Sequence, residues 1–585
     1  MNARGARSAA PRLRLAAREG DAITVLTLAP GTTVAARERM DADTWRALVA
    51  NADPATRWIW NDTTQWYPDL LRAGVVVARC HDLRLCHTIL QGTALATDAD
   101  DLRRARRWDA APAEQVPASA PTLFELDPPT DTEAAGRTAT GVPHEPDEVL
   151  AEFVRQQRAI DSSTDAGRLR LLLAAESAGA LLAAELHEAG VPWDRTVHER
   201  LLEDALGPRP AAGAVPERVQ RLATEVRAAL EDPSASLDSQ PRLLRSLHRV
   251  GVLARSTNRW ELAEYDHPVI APLLAYKKLT RLLSANGWAW LDEWAPDGRF
   301  RPVYVPGGVV TGRWASSGGG ALQLPRQLRP AVRADPGWVL VVADVAQLEP
   351  RVLAAMSGDT ALAAAARGRD LYEGIVAGGI VYTRQEAKIA MLGAMYGATT
   401  GDSGRLVPAL RRAYPRAMRL VDDAATAGEQ GGVVTTWLGR SSPGPSPRWR
   451  DVQAAAAEPD ATDVDRARAR SSARDRGRFT RNFVVQGTAA EWALAWLADL
   501  RGELAGLEPV ARDAGAPASG PVFGSRAHLA FFLHDEIIVH TPAMHADRVA
   551  AAVRAAADRA ARLLFGGFPI DFPLDLRVTA DAAKN

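Results

Sequence analysis

The sequence predicts a multi-domain α+β protein, and three observations carry that. At 585 residues the chain is too long for one compact core. Strand-like and helix-like patterns mix over residues 21–95, whereas residues 165–286 read as helix after helix. Farther on, two apolar strand-like runs, WVLVVADV and FFLHDEIIVH, each carry ionisable groups and are separated by helical stretches. Hydrophobic content of 47% and charged content of 24% are ordinary for a soluble globular chain. No run approaches about 18 uninterrupted apolar residues, so no membrane partner is expected.

Taken in order, MNARGARSAAPRLRLAAREGD lacks the apolar segment of a secretory signal and, given the Ala/Arg bias of the whole chain, reads as a tail, with a mitochondrial-type presequence as the alternative. AITVLTL (22–28) and AGVVVARC (73–80) read as strands, and WYPDLLR as a short helix. Residues 108–148, rich in Pro, Ala, Thr and acids, read as a linker. RLRLLLAAESAGALLAAELHEAG is a long helical pattern that stops near Gly190-Val191-Pro192. A Gly-, Pro- and Arg-rich texture begins near 299. Residues 338–358 are a strand that ends in an acid and enters a helix; 384–397 and 476–500 are helical; 441–475 reads as an irregular insertion. Cys80 and Cys86, the two cysteines, exclude a disulfide framework and a four-Cys zinc site and point to a reducing cytoplasm. Net charge is −1, so any polyanion-binding face must be local.

Five stretches carry candidate chemistry. In VVADVAQLEPR, Asp344 follows a buried-strand run; the alternative is a helix-capping carboxylate. In FFLHDEIIVH, His534-Asp535-Glu536 interrupt a strand; the alternative is a solvated hairpin turn. Together the two strand-borne acids suit a pair of Mg²⁺ ions, which favour carboxylates, phosphate oxygens and water. In TRQEAKIAMLGAMYG, Arg384, Lys388, Leu392 and Tyr396 step by four along one helix side. Two cations and a flat ring suit a nucleoside triphosphate, while a solvated basic face is the alternative. Gly393 and Gly397, each costing a helix about 1 kcal/mol, point to close approach of another backbone or a ligand. Arg478, Asn482 and Gln486 also step by four, with a plain polar stripe as the alternative. TGRWASS places Arg313 in a Gly- and Ser-rich turn.

Together these stretches resemble the family A DNA polymerases, the bacterial DNA polymerase I type, in order and spacing across residues 165–585. Asp344-Val-Ala-Gln347-Leu-Glu349-Pro-Arg351 resembles that family's motif A, Arg384-x3-Lys388-x7-Tyr396-Gly397 its motif B, and His534-Asp535-Glu536 its motif C. The resemblance implies a right-hand fold of palm, fingers and thumb, and template-directed extension of a primer with deoxynucleotides. It implies that Asp344 and Asp535 hold two Mg²⁺ (Mn²⁺ as a substitute), helped by the Val345 carbonyl and supported by Glu536. Arg384, Lys388, Gln347, Glu349, Tyr372, Leu392 and Tyr396 would bind the nucleotide, with Lys388 protonating the leaving pyrophosphate and Glu349 excluding a ribose 2′-OH. Arg313, Arg351, Arg478, Asn482, Gln486 and His534 would contact primer–template DNA. The chain departs from the family at Leu392, Tyr372, Val345-Ala346 and Leu324, where Phe, His, Tyr-Ser and Asn are usual.

The domain reading that follows is 1–107 exonuclease-like, ribonuclease-H type; 108–164 linker and irregular; 165–205 palm; 206–290 thumb; 291–350 palm; 351–475 fingers; and 476–585 palm. In the first of these, WIWNDTTQWYPDLLRAGVVVARCHDLRLCHTIL resembles part of a 3′–5′ exonuclease domain, yet no Asp-x-Glu follows the strand AITVLTL. A proofreading-type domain without proofreading is expected, in a monomer at the nucleoid acting in repair or gap filling. A bifunctional polymerase–exonuclease and a catalytically silent DNA-binding scaffold are the competing readings.

Overall fold

In a computed structural model the chain is described at residues 12–109, 141–211, 213–318, 320, 325–397 and 401–583. Two compact units emerge: Met1–Gly190 with Pro302–Leu322 and Asp335–Thr579, and Val191–Arg301 with Gln323–Ala334 and Ala580–Asn585.

The first unit opens with five strands: β1 (Leu13–Glu19), β2 (Ala22–Leu28), β3 (Val34–Met40), β4 (Arg57–Trp60) and β5 (Arg79–Asp82). They form one sheet in the order β3-β2-β1-β4-β5, with β4 parallel to both β1 and β5. The expected N-terminal tail is therefore corrected from Leu13 onward, since β1 is the middle strand. Its Leu15, Ala16 and Ala17 are buried in succession, so no alternation betrays it. Its arginines pack too: Arg14 and Arg18 lie over the Trp58 and Trp66 rings at 5.8 and 4.9 Å. Of the strand expected at 73–80 only Arg79 and Cys80 are in a strand, β5, which runs on to Asp82. Helix Thr63–Arg72 ends at Ala73, and Val75 N–H returns to Leu70 O at 2.8 Å, so those residues close a helix instead.

The expected irregular region 108–164 is corrected as well. Residues 110–140 lie outside the described ones, but Pro146–Asp161 is a helix. Pro146 opens it, Asp147 and Glu148 suit its N-terminal dipole, and Val149, Phe153 and Ile160 form its buried side. Helix Ala166–Ala189 runs as expected and stops at Gly190, whose φ of 65° only glycine adopts at little cost.

The next strand pair, β6 (Val191–Pro192) and β7 (Arg299–Phe300), belongs to the second unit. That unit holds helices Arg195–Leu206, Glu217–Ala229, Gln240–Arg249, Ile270–Asn286 and Trp288–Trp294. Trp193, His198, Trp290 and Phe300 stack together there, with ring centroids 4.9–5.7 Å apart.

Back in the first unit, β8 (Val303–Val305) and β9 (Ala315–Gly318) form a hairpin. A second sheet takes β10 (Trp338–Val345), β11 (His528–Leu533), β12 (Glu536–Pro542) and β13 (Leu574–Thr579) in the order β11-β12-β10-β13. Every neighbour is antiparallel. Helices Asp463–Ala505 and Ala546–Phe565 pack with it, and Trp496 Nε1 donates to Val553 O between them at 3.1 Å. The insertion expected at 441–475 is not irregular: Pro447–Ala457 is a helix, and the 43-residue helix Asp463–Ala505 starts inside it. The Ser, Pro, Thr and Asp that read as loop are caps. Ser446 accepts from Trp449 N–H, and Thr462 with Asp465 makes a reciprocal capping box. Among the described residues no helix is long and apolar enough to cross a membrane, and Cys80 and Cys86 are buried free thiols.

Candidate active site

Two strands and one turn build the centre. β10 and β12 pair so that Asp344 faces Glu536, and Val345 N–H donates to Asp535 O at 3.0 Å. Leu533 pairs with Glu536, leaving His534-Asp535 as a two-residue turn. The solvated-turn reading of that stretch is half right: a turn is present, but Glu536 is buried and Asp535 lines a cleft of about 270 Å³. Burial first, and then Asp344 beside it, push the Asp535 carboxyl up to about 6.

Backbone strain collects at the same place. Four described non-glycine residues have positive φ, and two of them, Gln347 (48°) and His534 (56°), line this cleft. Such conformations cost of order 1 kcal/mol or more and persist where the surroundings impose them. His534 is shifted down to about 4 by burial and then by Arg313, so it is neutral at pH 7.

The cleft also gathers Gly312, Arg313, Glu349 and Tyr396. Glu349 is held from two sides: Tyr396 donates its hydroxyl at 2.6 Å, and Arg313 forms an ion pair. Glu349 therefore sits beside Tyr396, as the resemblance implied, while Arg313 is engaged by a carboxylate. Thr311 donates to Gln486 Oε1 at 2.9 Å. Gly487 is required beside it, because a Cβ there would lie 2.4 Å from Thr436 Cγ2 and 3.0 Å from Thr311 O.

The nucleotide-side candidates lie on helix Arg384–Tyr396, opened by a Thr383/Glu386 capping box and closed by Gly397 at φ 72°. Arg384 reaches back to Asp370, with Nη2–Oδ2 at 2.8 Å, and its guanidinium lies 5.5 Å over the Tyr372 ring. The same Asp370 oxygen accepts from Gln347 Nε2 at 2.9 Å, which joins the Arg384 end to the Asp344 strand. Lys388 is exposed one turn on, and Leu392 is half-buried against the surrounding apolar cluster. Gly393 is explained by a neighbouring helix, since a Cβ there would meet Ser403 at 2.7 Å. Gly397 is met by Arg478 Cγ at 2.9 Å. Arg478 is exposed and ion-paired with Asp475, and Asn482 is half-buried one turn farther along the same helix.

One expected DNA contact is overturned. Arg351 is fully buried and donates to the carbonyls of Ala346, Ala366, Arg369 and Asp571 and to Asp571 Oδ1, at 2.8–3.1 Å. A guanidinium so enclosed braces the segment after β10 and touches no nucleic acid. Asp370 and Asp571 were missed in the sequence. Asp370 had a signal, since Asp370-Leu-Tyr-Glu373 is a helix-capping pattern and Asp370 does accept from Glu373 N–H at 3.1 Å. Asp571 had none.

The donor set fits hard divalent cations: Asp344 on its strand and Asp535 on the adjoining turn, the latter raised by burial and by Asp344, relax when a cation shares the space.

The sheet and its turn thus bring Asp344 and Asp535 together, and helix Arg384–Tyr396 carries the cation row. The family model of DNA polymerase family A matches residues 217–584, more than half of the chain, and the chain belongs to that family. DNA polymerase I of Chloroflexus aurantiacus is 29% identical over 303 residues, 47% of this chain and 28% of that protein. The thermostable DNA polymerase I of Thermus aquaticus is 25% identical over 408 residues, 62% of this chain and 43% of that protein. This chain thus spans under half the length of these relatives. The POL domain of Pol1 from M. smegmatis, solved in complex with DNA primer-template and dNTP, superposes with a TM-score of 0.63 at 17% identity. That match covers 96% of this chain and 93% of the other, and it shows that the fold is that of a polymerase domain.

Proposed function

We propose that this chain is a template-directed DNA polymerase that adds deoxynucleotides to a primer 3′-OH. The observation that carries the reading is the β10–β12 register, which sets Asp344 beside the Asp535 turn. Two Mg²⁺ held by Asp344, Asp535 and the Val345 carbonyl would supply Lewis-acid activation of the 3′-oxygen and neutralise the phosphates. Arg384 and Lys388 grip the triphosphate, and Lys388 gives its proton to the leaving pyrophosphate. Glu349, fixed by Tyr396 and Arg313, fills the space a ribose 2′-OH would need. His534, neutral and held in a strained turn, meets the primer end. Gln486, Asn482 and Arg478 track primer–template DNA.

The matching parts are a palm around β10–β13, fingers around Arg384–Tyr396 and a thumb within Val191–Arg301. The N-terminal sheet order β3-β2-β1-β4-β5 suits a ribonuclease-H-type exonuclease domain. Its central strand, LRLAARE, lacks the Asp-x-Glu that would hold metal, so we assign no proofreading to it. We further read the chain as a monomer acting at the nucleoid in repair or gap filling.

The test is primer extension with dNTPs and Mg²⁺ beside an Asp535→Asn variant. Extension by the unmutated chain is expected, with a rate loss of about 10²–10³-fold in the variant, the scale of losing a main transition-state electrostatic partner. Equal extension by both would overturn the assignment, and primer shortening that survives Asp344→Asn would restore the exonuclease reading.

A further inference from the structure

Helix Asp463–Ala505 is 43 residues and so about 64 Å long. Its DNA-facing candidates, Arg478, Asn482 and Gln486, step by four. The step continues outward beyond them, through Arg474, Arg470 and Arg466. All four arginines are exposed. Each step rises about 6 Å and turns about 40° past a full circle, so over about 30 Å from Gln486 to Arg466 the row winds about 200° around the helix, with Arg478 to Arg466 spanning about 120° of it. The opposite side of the helix is committed to packing. Ala469 and Thr480 are buried there, Gln453 donates to Ala469 O at 3.0 Å, and Arg476 donates to Gly432 O and Pro443 O at 2.8 and 3.0 Å.

A solvated helix face is normally laced with acids at i±3 and i±4. Here only the ends of the row are: Arg466 pairs with Asp463 and Arg478 with Asp475. Arg470 and Arg474 form no ion pair among the described residues. Their neighbours four residues away are arginines, and like charges at that spacing destabilise a helix. From Arg466 to Arg478 the sequence has six arginines and one acid, in a chain whose net charge is −1. A row that repels itself, points to solvent and continues an expected DNA face matches one class of partner, a polyanion with evenly spaced charges.

We propose that Arg466, Arg470 and Arg474 extend the primer–template interface by binding DNA backbone phosphates without regard to base sequence. This rests on the polymerase reading for its partner. Duplex phosphates and those of a single-stranded 5′ template overhang offer the same chemistry.

Binding of the full chain to primer–template is measured over a salt series, for the unmutated protein, Arg470→Ala, Arg474→Ala and both together. Arg39→Ala, an exposed arginine on β3, is the charge control. Each arginine–phosphate pair removed is expected to flatten the slope of log affinity against log salt by about 0.9 on duplex or about 0.7 on a single strand, roughly doubled in the double variant. Blunt duplex and recessed duplex with an overhang tell which phosphates are bound: a change confined to the overhang substrate assigns the row to the single strand. Arg39→Ala is expected to leave the slope unchanged. The double variant is expected to unfold no earlier than the unmutated chain, because it relieves like-charge repulsion. An unchanged slope on both substrates, or an equal flattening by Arg39→Ala, overturns the proposal. Normal primer extension beside an unchanged slope sinks the arginine row alone, whereas DNA binding without extension sinks the polymerase reading and leaves the slope to judge the row.

Discussion

At the scale of single residues, two side chains that look alike in the sequence do opposite work. Arg351 lies in motif A, yet its guanidinium is enclosed by carbonyls and Asp571. Arg351→Ala strands those acceptors in the interior and is expected to destabilise the fold by about 3–5 kcal/mol, read by urea unfolding. A folded variant with normal stability and weakened DNA binding would return Arg351 to the interface. Arg384 is half-exposed and tethered by Asp370. Asp370→Asn removes the charge that aims it, and the KM for dNTP is expected to rise about fivefold with a smaller change in kcat, the scale of one partly exposed charged pair. A loss in kcat alone would show that the tether does not position the nucleotide. The acids were legible because an ionisable group within an apolar strand is conspicuous. The two arginines were not separable, since nothing in their neighbours' identity tells a caged guanidinium from a presented one.

At the scale of elements, close approach is written in glycine. Helix Asp463–Ala505 passes Thr436 and Thr311 at Gly487 with no room for a methyl group. Gly487→Ala is expected to cost about 1–3 kcal/mol from overpacking and to disturb the Thr311–Gln486 bond beside it. Thermal unfolding temperature and primer–template affinity should both fall, and an unaffected variant would mean the helix can shift freely. Helix Ala166–Ala189, the 476–500 part of helix Asp463–Ala505 and β10 were readable from their apolar runs. The buried strand β1 was not, because a strand covered on both faces loses its two-residue period and its arginines hide on tryptophan rings. Helix Pro447–Ala457 was misread because its capping residues are also turn residues.

At the scale of the whole molecule, the Val191–Arg301 unit carries its own pH sensitivity. His198 is buried, accepts from Trp193 Nε1 at 3.2 Å and donates to Asn286 O at 3.0 Å; burial lowers it from 6.5 to about 4. Its folded-state pKa is below the unfolded one, so the unfolded chain binds more protons between those values. Stability is therefore full above about pH 6.5 and falls as pH drops toward about 4, by on the order of 3 kcal/mol for this group. Urea unfolding of the full chain at pH 7, 5.5 and 4.5, followed by tryptophan fluorescence, should show that loss, and His198→Gln should flatten it. An equal pH dependence in the variant would locate the loss elsewhere.

By itself the sequence determined the class of the chain, since Asp344, the Arg384–Tyr396 row and His534-Asp535-Glu536 stand in fixed order with spacings that local patterning makes visible. It also determined where a few helices stop, as at Gly190 and Gly397, because capping and hydrophobic period are local properties. Only the tertiary structure decided what each polar side chain faces. Strand pairing brings Asp344 and the Asp535 turn together from 191 residues apart. Enclosure turns Arg351 inward, and Asp370 claims Arg384. The reason is physical: hydrogen-bond partners and desolvation depend on packing between segments remote in the chain, which the local sequence does not encode.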